Sequence, residues 1–226
     1  MPGVHWLKVG YANAYLCEEE GALTLVDSGT PRQAGRILDY ISNLGRAPSA
    51  LKYILITHAD WDHAGSAAEL QTRTGATVLA APETISYLRR GRMPKHLPRA
   101  FSLLLEPIIG RFKPLKSEAM DAIEPGSTLA ILGDLHVLPA PGHTPDQHVF
   151  YSPSRGLLFA GDALGARSGK IGLPWSFLTA DVEQARQSAL RILELAPAVI
   201  ACGHGEPVKG HDNDDLLQFQ RELARQ

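Results

Sequence analysis

The sequence lacks several features that mark common protein classes, beginning with long apolar runs. A membrane-spanning helix needs about 18 or more apolar residues in succession, and none occurs here, so no membrane span is predicted. The formal net charge over 226 residues is only −2. Without an overall basic character to attract phosphates, no nucleic-acid partner is predicted.

Cysteine is also scarce, and the usual nucleophile motifs are missing. The only cysteines, Cys17 and Cys202, lie in or beside apolar runs, which favours a reducing compartment over a disulfide framework. The first residues do not resemble a secretion signal, so a cytoplasmic location is predicted. No Gly-x-Ser-x-Gly sequence occurs and no Cys–His pairing is compelling, so covalent catalysis is the weaker mechanism.

Short runs rich in Val, Ile, Leu and aromatic residues recur along the chain and predict β-strands. They cover residues 4–9, 14–17, 22–26, 53–56, 77–81, 128–132, 136–140, 148–151, 157–160 and 198–201. Helical patterns cover 31–44, 66–74, 182–195 and 212–224, with Asp181 as the predicted N-cap of the third. This mixture predicts an α/β fold with helices covering sheets, formed by a single domain over residues 1–226.

Residues 82–121 break this pattern. Prolines and glycines interrupt helical stretches there, and the part from Ala100 to Phe112 is strongly apolar. A long connection of this kind is usually functional, so we interpret it as a helical lid over a pocket. The alternative is a helical pair that covers a sheet face or forms a homodimer contact.

Acids and imidazoles follow the apolar runs at five separate places. Sharp turns containing Gly or Pro accompany them, and the carboxyl ends of strands are where α/β folds place their sites. These residues are Asp27, His58, Asp60, Asp62, His63, His143, Asp162 and His204. Histidine with carboxylate suits zinc, iron or manganese better than calcium. One ion takes three or four protein ligands, so this number predicts two ions.

The motifs THADWDHAG, PGHT, GD and GHG, with VDSG upstream, resemble the metallo-β-lactamase fold superfamily of hydrolases. The resemblance runs from Asp27 to His204 and implies a four-layer αββα sandwich, with a dinuclear metal site in the cleft between its two sheets. The roles that it implies are carried over by position. His58 and His143 bind the first metal, Asp62, His63 and His204 bind the second, Asp162 bridges both, and Asp27 supports the site by hydrogen bonding.

Asp60 departs from the family's usual His-x-His-x-Asp-His pattern, in which this position is a histidine. A carboxylate still ligates, so the first site would have one imidazole fewer and one negative charge more. The harder ligand moves the preference towards iron or manganese. Zinc remains the expected metal, with iron and manganese as alternatives. In the other interpretation Asp60 faces away, orients a histidine and leaves the first metal weakly bound or absent.

The resemblance implies a hydrolase in which a metal-bridging hydroxide attacks a small-molecule ester, thioester or lactone, with Asp62 passing a proton to the leaving group. The lactonases and hydroxyacylglutathione hydrolases are the similar branches. Two alternatives remain open: an iron-dependent oxygenase such as a persulfide dioxygenase, and a non-catalytic metal-containing binding protein.

Substrate contacts are predicted from three aromatic residues and from the character of the 82–121 segment. Trp61, Trp175 and Phe177 are candidates for the pocket wall, and a core role is the alternative for the last two. The apolar lid suggests an acyl chain, while its basic residues attract an anionic group or form an ordinary solvated face. These are Arg89, Arg90, Arg92, Lys95 and Arg99. The histidines outside the motifs are interpreted as packing or surface residues, with His148 closest to a motif: His5, His96, His136, His148 and His211.

Overall fold

The computed structural model describes residues 1–96, 110–210 and 213–225. Contacts divide the chain into two compact units. The first unit is Met1–Lys95 with Arg99–Glu124, and the second is His96–Pro98 with Pro125–Gln226. Residues 97–109 of the predicted lid lie outside the described residues. Within the described residues, no helix is both long and apolar enough to cross a bilayer.

The first unit contains a six-stranded sheet whose strands follow chain order. Its strands are β1 (Val4–Val9), β2 (Ala12–Glu19), β3 (Ala22–Val26), β4 (Leu51–Leu55), β5 (Thr77–Ala80) and β6 (Met120–Ala122). β1, β2 and β3 pair antiparallel, and β3 to β6 pair parallel. The described helices of this unit are α1 (Ala34–Asn43), α2 (Trp61–Ala64), α3 (Ala67–Thr74) and α4 (Pro82–Arg90).

Helical periodicity explains how α1 covers its core. Its buried residues Ala34, Ile37, Leu38 and Ile41 are spaced three or four apart, so they form one apolar stripe. That stripe belongs to a core cluster which also includes Leu25 and Ile54 from the adjacent parallel strands. The polar residues that follow β3 and β4 are therefore presented from a well-packed support.

The second unit contains another six-stranded sheet, in the order β14-β13-β10-β9-β8-β7. Its strands are β7 (Thr128–Leu129), β8 (Leu135–Pro139), β9 (His148–Ser152), β10 (Leu157–Gly161), β13 (Val199–Cys202) and β14 (Val208–Lys209). β11 (Gly165–Arg167) and β12 (Lys170–Gly172) form a separate hairpin, and the described helices are α5 (Val182–Leu193) and α6 (Asp214–Leu223). Only β10 and β13 pair in parallel in this sheet, among the described residues.

The N-terminus of α5 is capped as the sequence predicts. The Asp181 side chain accepts a hydrogen bond of 2.9 Å from the backbone N–H of Gln184. Ala185, Ala189 and Ile192 on α5 are buried at helical spacing. The predicted α/β fold, with two sheets and covering helices, is confirmed. One difference is β6, whose first residues fall at the end of the 82–121 segment and carry no strand pattern.

Candidate metal centre

Asp27 lies at the centre of a buried hydrogen-bond network in the first unit. Because β3 and β4 run parallel with Val26 opposite Leu55, the residues that follow both strands reach the same edge of the sheet. The backbone N–H of Thr57 donates to Asp27 Oδ1 at 2.9 Å, and its hydroxyl donates to Oδ2 at 2.9 Å. His63 Nδ1 lies 2.9 Å from the same Oδ2. One carboxylate thus connects the end of β4 to α2.

The backbone of Asp27 adopts a left-handed conformation with φ of 59°. Non-glycine residues seldom occupy this region, and when they do the surrounding structure must hold them there. Here the Asp27 N–H donates to the Leu55 carbonyl at 2.8 Å, and the next N–H, from Ser28, donates to the His63 carbonyl at 2.7 Å. The turn after β3 is therefore fixed by bonds on both sides of the aspartate.

The Asp27 network determines which nitrogen of two histidines carries hydrogen. A carboxylate only accepts hydrogen bonds, so His63 Nδ1 is the donor. The Thr57 hydroxyl gives its single hydrogen to Asp27, and His58 Nδ1, 3.0 Å away, therefore donates to that hydroxyl oxygen. In the neutral ring, which is the form that ligates a metal, both histidines therefore present an unprotonated Nε2.

The four predicted ligands of the first unit lie close together. The His58 and His63 ring centroids are 4.2 Å apart, and both residues are fully buried. His58 Nε2 lies 3.7 Å from Asp60 Oδ2. Asp62 and His63 offer ligand atoms within 4.8 Å of each other from α2. Trp61, which lies between Asp60 and Asp62 in the sequence, is half-buried and packs against the core.

In the second unit, Asp162 lies close to two of the predicted histidine ligands. Its Oδ2 lies 3.5 Å from His143 Nε2 and 3.2 Å from His204 Nε2. Parallel pairing of β10 with β13 places Gly161 opposite Cys202, so Asp162 and His204 follow at the same edge of the sheet. One carboxylate oxygen thus faces two imidazole nitrogens.

Two glycines allow the loops that carry these histidines to pack closely. Gly142 has φ of 141°, and a Cβ built there would overlap the backbone of Ala185 in α5. Gly205 has φ of 82°, and its Cβ would overlap the carbonyl of Ala166 in β11. Side chains at these positions are excluded by both sterics and backbone conformation. The flanking histidines are consequently held against neighbouring elements.

Cys202 lies completely buried in the core of the second unit. Complete burial, and then the nearby Asp162 carboxylate, raise the pKa of its thiol well above the ordinary range. Desolvation disfavours the charged form, so the side chain stays a neutral thiol in the core. Its residue cluster confirms the interpretation of Cys202 as packed core.

Trp175 and Phe177 form an exposed aromatic pair in the second unit. Their rings are stacked with centroids 5.7 Å apart, and 53% and 49% of the residues' surfaces are exposed. The Arg167 guanidinium lies over the Trp175 ring at 4.5 Å. This exposure excludes the core role and leaves a surface available to a ligand.

Sequence reasoning missed two residues near the predicted ligands. Thr57 bonds both Asp27 and His58, yet a threonine ending a strand is too common to single out. His96, assigned a packing or surface role, has its ring centroid 5.3 Å from that of His143. His148, the histidine outside the motifs that is closest to one in sequence, donates from Nδ1 to the Asp146 carbonyl at 2.9 Å.

Comparison with known proteins places these motifs in context. The family model described as the metallo-beta-lactamase superfamily matches residues 7–204. YobT of Bacillus subtilis, an uncharacterized protein, is 34% identical over 86% of this chain and 83% of its own length. The same organism's YflN, described as a probable metallo-hydrolase, is 27% identical over 98% of this chain and 91% of its own length.

Solved structures match the fold over the full chain. The metallo-beta-lactamase family protein TTHA1429 of Thermus thermophilus is 26% identical, with a TM-score of 0.73, covering 100% of this chain and 79% of its own. A B3 metallo-beta-lactamase described as having an active site glutamic acid matches with a TM-score of 0.73 at 21% identity, covering 99% of this chain and 85% of its own. The fold predicted from the sequence motifs is the fold of these structures.

Proposed function

Because this chain belongs to the metallo-beta-lactamase superfamily, we propose that it is a metal-dependent hydrolase acting on a small-molecule ester, thioester or lactone. The observation that carries the proposal is the position of Asp162, whose single Oδ2 faces the Nε2 atoms of His143 and His204. A buried carboxylate oxygen that faces two imidazole nitrogens is suited to bind cations together with both histidines. The relative described as a probable metallo-hydrolase supports the reaction class.

The donor set fits two divalent cations. Under this proposal the ligands of the first unit are His58, Asp60, Asp62 and His63, and those of the second are His143, Asp162 and His204. Imidazole and carboxylate donors suit zinc, iron or manganese, and the Asp27 network holds two of the imidazoles in the ligating tautomer. Zinc is the metal that we expect, because the set is rich in imidazole.

Bound divalent cations supply two things here: they lower the pKa of coordinated water, and they polarise the substrate's carbonyl oxygen. The remaining steps belong to the chain. Asp62, half-buried on α2, takes the proton released by the attacking water and returns it to the leaving group. Asp27 keeps His63 oriented throughout through the 2.9 Å bond to its Nδ1.

Asp60 is the proposed ligand at which this chain differs from the family's usual pattern, which has a histidine there. Its carboxylate lies 3.7 Å from His58 Nε2, close enough for both groups to bind one cation. An acidic active-site residue has a precedent in this fold, in the B3 enzyme described above. The added negative charge favours iron or manganese more than a histidine would.

The exposed stack of Trp175 and Phe177 is the proposed binding surface for the substrate's apolar part. Stacked aromatic rings offer a large, flat apolar surface on which acyl chains or ring substituents can pack. Arg167 over the Trp175 ring adds a cation that suits an anionic group at one end of the same substrate. Together these groups favour an acyl compound bearing a carboxylate or similar group.

An assay of ester, thioester and lactone panels with metal-loaded protein, with and without oxygen, tests the proposal. We expect oxygen-independent hydrolysis that disappears in His143→Ala and persists in His136→Ala, which removes a histidine of β8 outside the site. Oxygen consumption would favour the iron-dependent oxygenase. Full metal loading without turnover on any panel would favour the binding protein.

A further inference from the structure

His96 stands beside His143 in the second unit, although it is remote from every sequence motif. The two rings have centroids 5.3 Å apart and planes inclined by 59°. A ring nitrogen of one lies within 4.8 Å of a ring nitrogen of the other. His143 also faces Asp162, with 3.5 Å between its Nε2 and Oδ2. Two potential ligands of the second unit, His96 and Asp162, thus lie beside His143.

We propose that His96 is a ligand of the cation that His143 binds, an inference that rests on the proposed function. Zinc–imidazole bonds are about 2.0–2.1 Å long, so two nitrogens on one ion lie within about twice that length, and the nitrogens of these two rings start within 4.8 Å of each other. Two imidazoles bound to one ion do not need to stack face to face. The angle of 59° between the two ring planes agrees with such an arrangement.

The kind of donor supports the same assignment. His143 supplies an imidazole next to Asp162, and His96 would supply a second one. In the sequence motif, Asp60 replaces an imidazole that the family's usual pattern provides. His96 restores an imidazole from outside the motif, which explains how the chain tolerates a carboxylate at residue 60.

Cobalt(II) binding to the full-length protein tests this assignment without an activity assay. We expect His96→Ala to lower the affinity for one of two cobalt ions by about 100-fold, measured by competition with a chelating dye, because a ligand is lost. The visible absorption of bound cobalt should change as well, and free imidazole should restore it. The matched control His136→Ala should retain both affinities and the spectrum.

A second variant gives a positive signal that does not depend on loss of binding. His96→Cys should produce a thiolate-to-cobalt charge-transfer band in the near ultraviolet, whereas His136→Cys should not. Two bound cobalt ions without this band, together with unchanged affinity in His96→Ala, would overturn the role of His96. If His143→Ala still lost cobalt in that case, the proposed function would stand. Absence of cobalt binding by the unaltered protein would overturn both.

Discussion

At the scale of single residues, Asp27 controls the chemistry of the first unit without being a proposed ligand. It accepts hydrogen bonds from Thr57 and His63, and through Thr57 it also fixes His58. Its own backbone is held in a conformation that few residues adopt. Asp27 therefore contributes both to the stability of the fold and to the choice of tautomer in two imidazoles.

Asp27→Asn is expected to weaken metal binding while leaving the protein folded. An amide can donate where the carboxylate only accepts, so it permits His63 to place its hydrogen on the ligating nitrogen. Changes of this kind lower metal affinity by about 10–100-fold. Zinc titration against a competing chelator measures the loss, with exposed Asp39→Asn of α1 as the control. Equal affinities in the two variants would contradict the role given to Asp27.

Asp60→His is expected to preserve hydrolysis and to raise the proportion of zinc over iron and manganese in purified protein. The change replaces a hard oxygen donor with an imidazole. Elemental analysis of protein expressed in medium containing all three metals provides the measurement, with Asp39→His as the control. A metal composition that does not respond would mean that Asp60 is not a ligand.

The sequence indicates the ionisable residues around Asp27 and Asp162 because they directly follow apolar strands and match spaced motifs. It does not indicate Thr57, since its role depends on a hydroxyl hydrogen shared between Asp27 and His58. Nor does it indicate His96, because no local pattern relates that residue to His143. Contacts made by residues far apart in the chain require the folded structure.

At the scale of elements, prediction succeeds where hydrophobic patterns are long. The bounds of β1 (Val4–Val9) and β3 (Ala22–Val26) are predicted without error, and α5 differs only at its C-terminal end. The hairpin of β11 and β12 is missed because each strand has three residues and includes glycine. Short strands depend on their partners more than on their own sequence.

Gly142→Ala is expected to destabilise the protein by about 1–3 kcal/mol, since the added methyl group overpacks the contact with α5. The positive φ of this residue adds to the cost. Movement of the adjacent His143 should also weaken metal binding. Thermal unfolding and zinc titration measure the two effects. Gly172→Ala in β12, where a Cβ meets nothing within 4 Å, is the matched control. Unchanged stability of Gly142→Ala would contradict this account of the loop.

At the scale of the whole molecule, each unit has its own sheet and its own apolar core. Each unit also presents its proposed ligands after parallel strands. The family match extends through both units, from residue 7 to residue 204. If both sets of ligands bind the same cations, metal binding should stabilise the complete chain rather than one part of it.

Removal of metal by a chelator is expected to lower the melting temperature. A ligand at about 100 times its dissociation constant stabilises the native state by about 2.7 kcal/mol. For a chain of this size, that corresponds to a shift of about 5–10 °C. Calorimetry with and without zinc measures the shift, and His143→Ala should respond little to either treatment. An identical melting temperature for loaded and chelated protein would argue against a structural contribution from the metal.

The most direct measurement is anomalous X-ray diffraction at the metal absorption edge, using crystals of the metal-loaded protein. Two anomalous peaks are expected, with ligands drawn from the residues proposed here: His58, Asp60, Asp62, His63, His143, Asp162 and His204. Peaks at other residues, or no peak at these residues in fully loaded protein, would contradict the proposed ligand set.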